Sequence, residues 1–223
     1  MKKSKAILMV VCAMLLVAAS VMGTLAYLTS TPEAVVNTFT VGNVAITLDE
    51  ADVDEYGYPV LDEYAEWVDR VIENTYKLVP GHEYIKDPTI HVAPTSEDCY
   101  LFVTIDNEIA EIEDTSKTVA SQMEAKGWAP VAGENNVYFY IGNAEEASYP
   151  LAVSGGSDKV VFEKFTVAGD VDNDTLADYE GATITITAYA IQADSLGDKT
   201  AAEIWASFPT APAATEPSDP ETT

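Results

Sequence analysis

The sequence predicts an all-β fold, an antiparallel β-sandwich with two short helices. Three observations carry this expectation. Seven or eight short runs rich in β-branched and aromatic residues are separated by turn signals. One of them, Thr183 to Gln192, alternates strictly, with Ile184, Ile186, Ala188 and Ala190 on one parity and Thr183, Thr185, Thr187 and Tyr189 on the other. Only two segments have helical spacing. A closed β-barrel is the alternative arrangement of the same strands.

The first 26 residues read as an address. Lys2, Lys3 and Lys5 precede an apolar run from Ala6 to Met22, and Gly23-Thr24-Leu25-Ala26 supplies small residues where a signal peptidase reads. The expected cut lies between Ala26 and Tyr27. The alternative is a retained membrane anchor, for which the run is short. Cleavage removes Cys12 with the leader and leaves Cys99 alone, expected as a buried thiol.

Next come Asn37 to Val41 and Val44 to Leu48, two alternating runs joined by Gly42-Asn43, either as a hairpin or as one kinked strand. Residues 49–66 are acidic and turn-rich and read as a solvated insertion. Pro80-Gly81 after Leu78 marks a turn. Tyr84 to Val92 is extended, and Pro88 assigns it to an edge or a bulge because proline cannot donate to a ladder. Cys99 to Ile105 is apolar on both parities, so it should be covered on both faces. Ser116 to Lys126 is a short helix stopped by Gly127, with Val119 and Met123 facing inward. Val137 to Ile141 and Lys159 to Val167 are further strands, separated by the Gly155-Gly156 turn. Thr200 to Phe208 is a terminal helix. The acidic Pro/Thr tail 209–223 has the composition of a disordered segment. The domain is therefore expected over 27–208.

Charge excludes whole classes of partner. The chain has 37 Asp+Glu against 11 Lys+Arg, a net charge of −26. A nucleic-acid binder needs a basic footprint, and an anionic membrane surface would repel this protein.

The stretches Gly23-Thr24-Leu25-Ala26-Tyr27-Leu28-Thr29 and Asn37-Thr38-Phe39-Thr40-Val41-Gly42-Asn43-Val44 resemble the TasA/camelysin family. Leu78-Val79-Pro80-Gly81 is similar to that family's turn, and Ile184 to Ala193 to its closing strand. The resemblance implies a jelly-roll-like sandwich, processing by a SipW-type signal peptidase, and secretion to the cell surface or biofilm matrix of a Gram-positive bacterium. It further implies a fibre subunit that self-associates into filaments by donating an N-terminal strand. The donor would be Tyr27 to Asn37, with Leu28, Val35 and Val36 filling pockets; Pro32 interrupts it once. The strongly acidic chain and the 49–66 stretch depart from the family pattern. A cell-surface binding module that never polymerises is the alternative function.

Enzymatic chemistry is not expected. Some members of that family are described as metallo-endopeptidases, and the common zinc site needs His-Glu-x-x-His. Here His82-Glu83-Tyr84-Ile85-Lys86 ends in lysine, and His91 lies on a proline-broken segment. Asp170, Asp172 and Asp174 alternate as oxygen ligands for Ca²⁺ would, but Thr175 and Gly181 stand where a calcium loop has glycine and glutamate. The other reading of that run is a solvated loop.

Overall fold

The computed structural model describes residues 43–61, 70–144 and 148–208. All belong to one compact unit, Val36–Thr223. The expected signal cut at Ala26–Tyr27, the donor residues Tyr27, Leu28, Val35 and Val36, the run 37–41 and the tail from 209 lie outside the described residues.

Ten strands fold into three antiparallel sheets among those residues. They are β1 (Ile46–Ala51), β2 (Arg70–Val71), β3 (Glu83–Ile85), β4 (Thr89–Val92), β5 (Cys99–Asn107), β6 (Trp128–Pro130), β7 (Val137–Tyr140), β8 (Asp158–Val160), β9 (Lys164–Thr166) and β10 (Ile184–Gln192). One four-stranded sheet runs β2-β1-β4-β8 and the other β10-β5-β7-β6, while β3 and β9 form a ribbon. Three short α-helices accompany them, α1 (Val119–Ala125), α2 (Asn173–Ala177) and α3 (Ala201–Trp205), with a 3-10 turn at Ala110–Ile112. The arrangement is the expected sandwich-like all-β fold, with one helix more than the sequence announced.

The doubly apolar β5 explains the layering. Cys99, Leu101 and Val103 point into the core between the two sheets, where they meet Ile46 and Leu48 of β1 and Ile90 and Val92 of β4. Tyr100 and Phe102 point the other way, into a second core capped by Ile204 of α3. β10 pairs with β5 over its whole length, Ile184 opposite Asn107 through Gln192 opposite Cys99. Its Ala188 and Ala190 face the inner core, and Tyr189 packs under α3. Cys99 is a buried free thiol. Burial, and then the charge of Asp98, push it up to about 11, so it is unreactive near neutrality.

Local chemistry sets the element ends. Thr118 caps α1, its hydroxyl accepting from Ser121 N–H, and Gly127 at φ +85° stops the chain behind it. Thr200 and Glu203 form a capping box on α3. Val79-Pro80-Gly81-His82 is a tight turn with Gly81 at φ +73° and His82 N–H donating to the Val79 carbonyl at 3.1 Å.

Three expectations need correction. The 49–66 stretch is not a solvated insertion at its start: Asp49 to Ala51 complete β1, and Glu50, Ala51 and Val53 are buried. The acids are accommodated because partners arrive from elsewhere. Lys86 Nζ lies 2.6 Å from Glu50, Asn74 donates to Glu50 at 2.9 Å, and Arg70 pairs with Asp49. The extended run 84–92 is not one edge strand. It breaks at Lys86-Asp87-Pro88, so β3 joins the ribbon and β4 becomes a central strand. Pro88 sits at the crossing, where it needs no ladder donor. Likewise 159–167 divides into β8 and β9, which belong to different sheets.

Candidate functional site: an open seam between the sheets

A sandwich has two lateral seams, and here they differ. Along one, β6 approaches β8. Trp128 is buried there and its indole N–H donates to the Val160 carbonyl at 2.9 Å. Tyr140 meets the Trp128 ring edge-on at 5.4 Å, and Lys159 Nζ lies 5.2 Å from the Tyr140 ring centre. Aromatic packing and a satisfied indole close that seam.

Along the other, the start of β10 faces the end of β1, and between them opens a cleft of about 840 Å³. Leu48, Leu78, Ile109, Phe165, Ile184 and Ile186 give it an apolar lining. Asp49, Glu50, Glu55, Glu73 and Glu180 make it acidic, with Lys77 and Lys86 as its cations. Lys86 is engaged by Glu50 and lies 5.8 Å from the Tyr76 ring centre. Burial first, then the charges of Glu50 and Asp87, push the Tyr76 phenol far above its ordinary value. It stays protonated and donates to the Ile85 carbonyl at 3.0 Å.

The backbone of the open seam is as informative as its side chains. Glu108 N–H donates to the Thr183 carbonyl, and Ala193 N–H donates to the Asp98 carbonyl. The odd-numbered residues of β10 therefore carry the ladder to β5. In antiparallel pairing the alternate residues Ile184, Ile186, Ala188 and Ala190 turn their N–H and C=O to the other edge. Among the described residues no strand pairs with that edge. β1 is similar: Ala93 N–H donates to the Ala45 carbonyl, so Ile46 and Leu48 direct their backbone groups outward, while β2 covers only Glu50 and Ala51. Among the described residues the cleft is thus a slot flanked by two strand edges without a paired neighbour.

The other sequence-marked residues are placed separately. Asp172 caps α2, its Oδ1 accepting from Thr175 N–H at 2.8 Å, and this bond holds its carboxyl below the ordinary range. Asp174 lies in the first turn of the same helix. Among the described residues no group of three or more His, Cys, Asp or Glu side chains is placed to hold a metal ion. Glu83 lies on β3 and binds Lys164 at 2.6 Å. His82 Nε2 sits 2.8 Å from the Tyr56 carbonyl, and the His91 ring lies between Asp49 and Asp158. Nothing in the sequence marked the cleft. The only trace was β10 itself, whose alternation promises burial for Ile184 and Ile186 that the fold leaves half done. Comparison with protein-family models, with curated proteins and with solved structures finds no match.

Proposed function

We propose that this chain is a secreted, non-enzymatic fibre subunit whose open seam accepts an extended segment from a neighbouring copy. The observation that carries the reading is the edge of β10, unpaired among the described residues, beside a cleft with an apolar floor and acidic residues around it. An edge of this kind offers main-chain donors and acceptors for β-augmentation, while the cleft offers pockets for alternate side chains.

The dimensions favour the segment Tyr27 to Asn37, freed by cleavage after Ala26. β10 has nine residues, about 30 Å at the usual rise per strand residue, and an extended segment of similar length covers it. Strand alternation places Leu28, Ser30, Pro32, Ala34 and Val36 on one side and Tyr27, Thr29, Thr31, Glu33, Val35 and Asn37 on the other, so Leu28 and Val36 would enter the cleft together while Val35 would face away. The uncharged row with Leu28 and Val36 suits the cleft, and the row with Glu33, Thr29, Thr31 and Asn37 suits water. Donor and acceptor are different surfaces, so the contact propagates as a filament. The resemblance to the TasA/camelysin family and the signal-like leader point the same way, toward an extracellular matrix.

The experiment is negative-stain microscopy of residues 27–223 and of the same chain lacking 27–37. Filaments from the first and none from the second are expected. Monomers in both cases would replace this reading with the non-polymerising binding module, whose ligand would then occupy the cleft.

A further inference from the structure

The outer face of the β2-β1-β4-β8 sheet carries a charge cluster that shares only Asp49 with the lining of the open seam. Its centre is His91 on β4. Nδ1 lies 2.7 Å from Asp158 Oδ1 on β8, and Nε2 lies 3.0 Å from Asp49 Oδ1 on β1. A carboxylate only accepts, so a ring bonded to two of them needs a proton on each nitrogen, which is the imidazolium. The neutral ring keeps a single N–H and holds one partner.

The surroundings decide which partner is lost. Asp49 also receives Arg70 of β2, and Arg70 Nη1 donates to Asp87 Oδ2 at 3.0 Å. Asp49 therefore keeps a cation whatever His91 does. Asp158 is 65% exposed and sits on an edge strand of three residues. Among the described residues these four groups, Asp49 from β1, Arg70 from β2, Asp87 before β4 and Asp158 from β8, are the charged residues bonded to the ring directly or through one another.

We propose that His91 is a proton-operated clamp: charged, it ties edge strand β8 to β1 across β4, and on losing its proton it lets Asp158 go. Burial works against the charge, but the hydrogen bonds from Asp158 and Asp49 and their negative charges outweigh it and raise the pKa. The folded-state value thus exceeds the unfolded one. The clamp is fully present below the ordinary histidine value of about 6.5 and fades as pH rises through the raised value. This inference is independent of the fibre reading.

The test is an NMR titration of the histidine rings in the whole secreted chain, with the His91 signal identified by its loss in His91→Gln. His91 should titrate above about 6.5, and Asp158→Asn, an exposed change that leaves the fold intact, should move it down. Melting curves add a second readout: the wild type should melt above His91→Gln at mildly acidic pH, and the gap should close at alkaline pH. An ordinary or lowered titration point, no response to Asp158→Asn, or a melting gap independent of pH would each overturn the clamp.

Discussion

The two seams of the sandwich are built from comparable strands and finished in opposite ways. At the β6–β8 seam a tryptophan fills the gap and satisfies its own N–H on Val160. At the β1–β10 seam, Ile184 and Ile186 stay half-buried above a cleft, and their backbone groups face no described strand. The contrast continues along β10 itself. Its small residues Ala188 and Ala190 are buried, whereas its large ones at the other end are not. Side-chain size alone would give the reverse. A hydrophobic pattern states what a chain can bury, and the incompletely buried stretch of β10 is where the proposed segment would fit.

This contrast can be tested by substitution. The largest effect is expected at the closed seam: Trp128→Ala removes a buried aromatic and should cost about 3–5 kcal/mol in denaturant unfolding. Ile186→Ala, at the open seam, should cost the dispersed subunit only about 1 kcal/mol, because half of its transfer energy is never gained. Equal costs would mean that the seams do not differ.

Beside the open seam, Lys86→Ala leaves Glu50 buried without its cation and should also cost about 3–5 kcal/mol. The double change Glu50→Leu with Lys86→Met should recover most of that loss. No recovery would show that the pair does more than neutralise itself.

A proline scan separates the two edges of β10. Thr185→Pro removes a donor used by the ladder to β5 and should lower stability by about 1–3 kcal/mol. Ile186→Pro removes an N–H that faces outward. It should leave more of the stability in place and abolish filaments.

The smallest effect concerns charge. The full chain carries a net charge of −26, and removing residues 1–26 takes away three lysines and no acid, so copies repel over a Debye length of about 10 Å at 0.1 M salt. Filament formation at fixed pH should quicken as ionic strength rises. Equal rates at low and high salt would contradict the role given to repulsion.

Much of the closed part of the molecule was legible in the sequence. The two apolar parities of β5 foretold two cores, and the spacing of Val119 and Met123 foretold α1 and its inward face. The open seam was not legible, for a physical reason. Whether Glu50 is buried or solvated depends on Lys86 and Asn74, which lie 36 and 24 residues away. Local composition therefore read residues 49–53 as solvent-facing. Whether Pro88 marks an edge or a crossing depends on which sheet the chain enters next. The cleft is set by strand order, which period-two patterning does not encode.

The most direct test of the open seam is residue-resolved hydrogen exchange at the amides of Ile184 and Ile186, in dispersed subunits and in assembled material. Fast exchange when dispersed and strong protection on assembly are expected, while amides of β5 such as Leu101 remain slow in both. Filaments in which Ile184 and Ile186 exchange as fast as in the free subunit would place the contact elsewhere and contradict the account.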